Sequence, residues 1–294
     1  MSEGSVLLSL VVCTRDRAPR LRACLASVAA LRCRHEWELV IVDNGSSDDT
    51  ALVIEEFGRE SQVTVSCVRE PSVGLGHARN AGVAIATGRL VAFIDDDCYP
   101  EPELLEAIAS VFDDPRIGFM GGRVKLHDPM DAPITIRDDD DTEFFAPFSV
   151  LPTGRLHGAC MAFRRSVLEQ IGGFDPLFGA GTRFPCEDVD ALARAAAAGW
   201  AGGYFPAPTI SHHHGRRRGP RVDALDHSYD VGRGAYIAKR LGSRQTRLPY
   251  LRYWGGRIRW QHPSRTMREV RGAVLYALLR LRNLGCPQAR RGCR

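Results

Sequence analysis

Four runs rich in branched aliphatics, SVLLSLVVC (5–13), ELVIVD (38–43), VTVSC (63–67) and LVAFID (90–95), alternate with segments of helical periodicity through the first 115 residues. In PRLRACLASVAAL, Pro19 suits a first helical turn, and Leu21, Leu25, Val28 and Ala29 form an apolar stripe. SDDTALVIEEF carries capping residues into a second helix, SVGLGHARNAGVAIATG (72–88) is a loop leading into a third, and EPELLEAIASVFDD (101–114) is a fourth. Short branched strands separated by amphipathic helices predict an α/β fold with a mostly parallel sheet covered on both faces. Ligands of such sheets bind beyond the carboxyl ends of the strands. That rim receives Thr14, Asp43 and the carboxylates that follow the fourth strand.

Those carboxylates are the next constraint. LVAFIDDDCYP (90–100) breaks an apolar run with Asp95, Asp96 and Asp97. Each loses hydration in an apolar setting and repels its neighbours unless something positive joins them. Hard oxygen ligands favour Mg²⁺ or Mn²⁺. In extended backbone Asp95 and Asp97 share a face, with Asp96 turned toward their supporting contacts or the backbone. So few protein ligands imply that the ion shares its coordination with a phosphate of the substrate, which three carboxylates would otherwise repel.

The composition, 44% hydrophobic and 25% charged over 294 residues, suffices for one large α/β core or two packed lobes and excludes a disordered or fibrous chain. Nine cysteines with no CxxC spacing point to reduced thiols and a cytoplasmic protein, without a disulfide framework or zinc knuckle. SVLLSLVVC is too short to span a membrane and follows Glu3 rather than a basic stretch, so it is expected to be a core strand and not a signal peptide. Charge is unevenly spread: residues 212–294 carry 20 Lys and Arg against 4 Asp and Glu, a local net of +16, which leaves −12 on residues 1–211. A basic tail on an acidic body suggests an anionic surface or polyanionic partner for the tail, although arginine dominates the whole chain, with lysine only at 125 and 239.

The second half reads differently. IGFMGGRVKL (117–126) is a strand, DDDDTEFFAPF (138–148) a solvated loop and GRLHGACMAFRR (154–165) a further strand. SVLEQIGGFDPLFG is a short helix ending at Gly172 and Gly173. EDVDALARAAAAGW (187–200) is a helix with Glu187 and Asp188 in its first turn, and GYFPAPTIS (203–211) is extended ahead of HHHGRRRG. Gly158, Ala159 and Ala162 have little side chain, so a ligand can approach the backbone closely there.

Taken in order, VVCTRDRAPRLRACLASV, ELVIVDNGSSDDT, GLGHARNAGVAIATG, VAFIDDDCYP, GACMAFRRSVLEQIGGFD, EDVDALARAAAAGW and SHHHGRR resemble the family 2 glycosyltransferases over residues 7–215, about 70% of the chain. The resemblance implies the GT-A fold, a Rossmann-like, mostly parallel central sheet flanked by helices. It also implies transfer of a sugar from a nucleotide-diphosphate sugar, UDP or dTDP foremost, to an acceptor hydroxyl with inversion and with Mn²⁺ or Mg²⁺. The DDD triplet then matches the D-x-D motif, with Asp97 in direct metal contact and Asp95 at the ribose or a water-mediated contact. Asp43 and Asn44 match the position that reads the base, and Thr14 and Arg15 the wall beside the nucleotide. Arg79 and Asn80 match the segment against base and ribose, Arg79 alternatively bridging Asp43 or a loop carboxylate to hold the pocket's shape. Gly158 falls at a sugar or acceptor contact, and Asp188, with Glu187 alongside, matches the general base. His212, or His214 which shares its parity, would complete the metal site, and Arg216, Arg217 and Arg218 suit a loop closing over the diphosphate.

The expected organisation is a nucleotide-sugar-binding part (1–115), an acceptor-binding and catalytic part (116–215) and a basic, mainly helical extension (216–294). In that extension SYDVGRGAYIAKRL reads as a helix interrupted by glycine. TMREVRGAVLYALLRLRN places Met267, Val270, Val274, Leu278 and Leu281 near one face. Such a segment suits a helix packed on the catalytic core, a homodimer contact, or a membrane surface bearing a lipid-linked acceptor, in which case the protein is peripheral at the inner face; a small natural product is an equally compatible acceptor. Nucleic acid is disfavoured because no recognition motif accompanies the charge. A sugar-nucleotide pyrophosphorylase would need a Gly-rich loop and a lysine after the first strand, absent from VVCTRDRAP. A non-catalytic nucleotide-sugar or glycan-binding module with this fold predicts damage at the DDD or ED positions, and both are intact.

Overall fold

Strand and helix alternate first as β1 (Leu8–Thr14), α1 (Ala18–Val28), β2 (Trp37–Asp43), α2 (Thr50–Glu60), β3 (Thr64–Arg69), α3 (Leu75–Ile85) and β4 (Leu90–Asp95). The structure, a computed structural model, describes residues 6–284. β1 lies between β2 and β4 and pairs with both in parallel, and β3 pairs parallel outside β2. The registers Thr14↔Asp43 and Cys13↔Asp95 bring the carboxyl ends of three strands to one rim. The chain winds outward from β1 to β3 and returns past β1 to β4, so the crevice of the rim opens between β1 and β4. Alternating side chains feed two cores, Val11, Val91 and Phe93 on one face and Leu8, Leu10, Val12, Leu90, Ala92 and Ile94 on the other.

Beyond β4 come β5 (Cys98–Pro100), α4 (Leu104–Val111), β6 (Ile117–Leu126), β7 (Glu143–Phe145), β8 (Cys160–Arg164), α5 (Arg165–Ile171), α6 (Glu187–Ala197) and β9 (Ala201–His212). Here the sheet turns mixed: β8 runs antiparallel to β4 and β6, whereas β6 and β9 are parallel. The sheet order is β3-β2-β1-β4-β8-β6-β9-β5, with β7 attached to β9. The acidic stretch 138–148 is not wholly a solvated loop. Its EFF segment forms β7, because Phe145 is buried and Glu143 is held by Arg137 and Arg155.

Three helices close the described chain: α7 (Pro220–Leu241), α8 (Arg247–Ile258) and α9 (Pro263–Leu284). α7 runs unbroken through its glycines, contrary to the interruption expected. A Cβ on Gly234 would collide with the Glu269 backbone, and one on Gly272 with Val231, so these glycines let α7 and α9 meet backbone to backbone. That packing outweighs the cost of about 1 kcal/mol for glycine in a helix. The buried face of α9 is Glu269, Gly272 and Tyr276, whose ring packs on Phe178 and Phe184. The apolar stripe of Met267, Val270, Val274, Leu278 and Leu281 faces solvent instead.

Asp190 on α6 fastens this helical region to the rest. Its fully buried carboxylate meets Arg194 Nε at 2.8 Å, Lys239 Nζ at 2.7 Å and Arg240 Nη2 at 3.4 Å. Burial pushes its pKa up, but the three cations outweigh burial and hold it below the ordinary value. Its stabilising contribution is therefore present above the unfolded-state pKa and fades as pH falls through the folded-state one. Asp190→Asn is expected to destabilise the protein by about 3 kcal/mol at neutral pH in urea denaturation, a difference that shrinks in acid below about pH 4.

Candidate functional site

At the end of β4 the backbone turns and immediately forms β5, which pairs antiparallel with the end of β9. Cys98 sits opposite His212, and the His213 N–H donates to Asp97 O at 2.8 Å. This pairing is what delivers His212 to the acidic turn. Its Nε2 lies 3.2 Å from Asp97 Oδ1. Because β9 stops at His212, shared parity no longer governs His214. The His214 Nδ1 accepts the Arg216 N–H and lies 3.5 Å from Asp131, away from the triplet.

The three aspartates occupy different environments. Asp96 is buried, accepts from Thr14 Oγ1 at 2.7 Å and from Arg17 Nη1 at 2.6 Å, and burial lifts its pKa to about 6 against the pull of Arg17. Asp97 is equally buried, but His212 and Arg17 Nη2 (2.6 Å) outweigh burial and hold it well below the carboxylate range. Asp95, the most open of the three, faces Arg79 Nη2 at 3.4 Å. Ligand atoms of Asp95, Asp97, Cys98 and His212 lie within 4.8 Å of one another. Burial keeps the Cys98 thiol well above its usual pKa, which disfavours the thiolate. Two carboxylates and an imidazole remain, a set suited to a hard divalent cation. The buried His212 Nδ1 has no hydrogen-bond partner among the described residues.

The opposite wall is the start of α6. Cys186 ahead of it has φ +95°, a left-handed conformation that a non-glycine residue holds only at a cost of about 1–3 kcal/mol. Glu187 turns inward to Arg79 Nη1 at 2.7 Å, and burial pushes its pKa up despite that charge. Asp188 turns to the cleft. Its Oδ2 accepts the Gly158 N–H and its Oδ1 the Val189 N–H, both at 2.7 Å. Gly158 has no room for a side chain: a Cβ would stand 2.9 Å from Arg79 Nη2 and 3.0 Å from Asp188 Oδ2.

Arg79 bridges the two walls. It is buried, stacked over Phe93 and Phe174, and bonded to Glu187, Asp95 and Gly158 O. The bridging alternative is met only in kind: Arg79 does join carboxylates, but they are Asp95 and Glu187, whereas Asp43, the partner expected from sequence, faces Ser46 and Arg69 instead. Other predicted residues divide similarly. Thr14, Arg15, Asn44, Arg79, all three aspartates, Gly158, Glu187, Asp188 and His212 line one cleft of about 540 Å³. Asp43, Asn80 and His214 are not among its lining residues. Asp43 accepts the Ser46 N–H, and Asn80 clamps Phe174 through both N–H and C=O. Asn44 lines the cleft but spends its side chain on Glu70 O, Ser72 O and the Gly74 N–H. Of the three arginines, Arg216 lines the cleft, whereas Arg217 pairs with Asp128 and Asp131.

Five contributors, from three places in the fold, escaped the sequence reading. Arg17, in TRDRAP, is the cation that holds Asp96 and Asp97, and a basic residue one turn past β1 was its only signal. His157 is half-buried in the cleft, where desolvation lowers its pKa to about 4. Leu225, Ser228 and Tyr229 reach the cleft from α7, a helix no local pattern places there.

The model of glycosyl transferase family 2 matches residues 9–172, more than half of the chain. Glycosyltransferase AglE of Haloferax volcanii is 26% identical over 80% of this chain and 74% of its own length. The glucosyl-dolichyl phosphate glucuronosyltransferase of the same organism is 27% identical, over 57% of this chain and 56% of its own. Among solved structures, the Pyrobaculum calidifontis mannosyltransferase PcManGT in complex with GDP-Man and Mn²⁺ superposes with a TM-score of 0.65 at 19% identity, covering 96% of this chain and 81% of that one.

Proposed function

The chain belongs to glycosyl transferase family 2, and on that premise we propose an inverting, divalent-cation-dependent transfer of a sugar from a nucleotide-diphosphate sugar to an acceptor hydroxyl, with Asp188 as general base. The observation that carries this reading is the pairing, across one cleft, of the Asp95, Asp97 and His212 cluster with a carboxylate fixed by two backbone N–H groups. A cation held by that cluster would neutralise the donor's diphosphate and the charge that grows on the departing nucleotide. Arg17 keeps Asp97 oriented, and Thr14 keeps Asp96 turned away from the ligand positions.

Asp188 has one lone pair engaged on each oxygen and retains another for an acceptor O–H. Removing that proton as the new bond forms is worth about 10²–10⁴-fold. Arg79 and Glu187 set the distance between the base and the acidic cluster, since one guanidinium is bonded to both sides. Gly158→Ala is expected to displace Asp188 and lower kcat roughly tenfold with donor affinity retained, as initial rates and calorimetry would show.

The acceptor is proposed to be a lipid-linked sugar or a small natural product, and the dolichyl-phosphate relative supports the first. UDP or dTDP sugars are the proposed donors. Calorimetry with Mn²⁺ and a panel of UDP, dTDP and GDP sugars should find one nucleotide class that binds and is slowly hydrolysed. Absence of any binding, or affinity unchanged in EDTA, would overturn the reading.

A further inference from the structure

We propose that α9 docks this protein on an anionic lipid surface. The inference goes beyond the transferase reading and does not rest on it. Met267, Val270, Val274, Leu278 and Leu281 are between 44% and 66% exposed. At 100° per residue they fall within about 80° of the helix circumference and run about 21 Å along it. Glu269, Gly272 and Tyr276, which fasten α9 to α7 and the core, lie on the opposite side. The helix is thus anchored by Glu269, Gly272, Tyr276 and the partly buried Leu275 and Leu279, while a second, five-residue aliphatic stripe is left outward with nothing packed on it among the described residues.

Charge identifies the occupant. Arg271 and Arg282 flank the stripe, Arg280 lies farther round, and Arg252 and Arg259 stand on α8 and just after it, all exposed. None of the five has an acidic partner within 4.0 Å among the described residues, where Arg265 and Arg268 are paired with Asp230 and Arg257 with Glu269. The only acidic residue of α9 is the buried Glu269. A second copy meeting this face about a two-fold axis would set arginine against arginine. A nucleic acid would use the cations and leave the aliphatic stripe wet. Aliphatic side chains beside unpaired guanidinium groups, with Trp260 fully exposed at the turn ahead of the helix, suit acyl chains beneath anionic headgroups. Among the described residues no helix is long and apolar enough to cross a membrane, so α9 would lie in the interface plane.

The test is co-sedimentation of the full chain with vesicles of phosphatidylcholine alone or mixed with phosphatidylglycerol, alongside light scattering of the protein without lipid. The wild type is expected to bind only the mixed vesicles and to be released by salt. Val274→Asp with Leu278→Asp should weaken that binding by about tenfold or more. Arg271→Glu with Arg282→Glu should weaken it by about fivefold or more per residue. Because all four positions are exposed, thermal melting and donor binding should match the wild type in both variants, which separates failure of docking from failure of the transferase reading. Absence of binding to the mixed vesicles, equal binding by the aspartate variant, or a dimer in lipid-free solution that the aspartate variant dissolves would overturn the inference.

Discussion

Asp188→Asn is expected to lower transfer by about 10³-fold while leaving donor affinity and the melting temperature near those of the wild type. The substitution removes the proton acceptor and little else. Asp188 does not touch Arg79, the acidic triplet or His212 through any hydrogen bond; its two partners are the Gly158 and Val189 N–H groups. An asparagine oxygen can keep only one of them, and its amide N–H groups then face the other. That change costs one hydrogen bond, about 1 kcal/mol, at a half-buried helix start. The expected signature is a fall in kcat with calorimetric donor binding intact, together with a melting temperature lowered by no more than about 2–4 °C. Turnover near that of the wild type would move the base elsewhere, and His157, half-buried in the same cleft, would be the first group to examine.

Much of this cleft could be read before any fold was drawn, and the reason is local. β1, β2 and β4 are buried on both faces, so their runs are almost wholly apolar, broken inside β1 and β2 by Ser9 and Glu38, which bond each other, and the turn residues that end them mark the rim directly. The local pattern places Glu187 and Asp188 at a helix start, but the role of base comes to Asp188 only through the resemblance. His212 could be named only through resemblance, since its placement depends on a three-residue strand, β5, pairing with a partner more than 100 residues away. No periodicity announces three residues. Arg17 was hidden for a related reason: its role is defined by two carboxylates about 80 positions later. On α9 the periodicity was correct but carried no sign. An aliphatic stripe ordinarily marks the buried face, and only the backbone contact made by Gly234 and Gly272 shows that the other side is the one packed.

Asp97→Ala is the second large effect, and it separates cation from arginine in holding the donor. Asp97 is the carboxylate on which His212 and Arg17 converge, at 3.2 Å and 2.6 Å. Its loss removes one proposed cation ligand and leaves His212, another, without its hydrogen-bonded partner. Loss of a partner that merely orients a ligand typically costs 10–100-fold in metal affinity, so removal of this residue should cost at least about 100-fold, read as Mn²⁺ binding by electron paramagnetic resonance. Donor affinity in Mn²⁺ should then fall to the value the wild type shows in EDTA. Arg17 stays paired with Asp96 in the variant and gains freedom on its Asp97 side, so whatever donor binding persists measures what guanidinium groups contribute alone. Asp96→Asn provides the contrast: Asp96 is engaged by Thr14 and Arg17 and lies outside the ligand cluster, so Mn²⁺ affinity should fall far less than in Asp97→Ala. If Asp97→Ala bound Mn²⁺ as tightly as the wild type, the buried carboxylates would be an ion-pair site for Arg17, and the diphosphate would have to be held by arginine rather than by a cation.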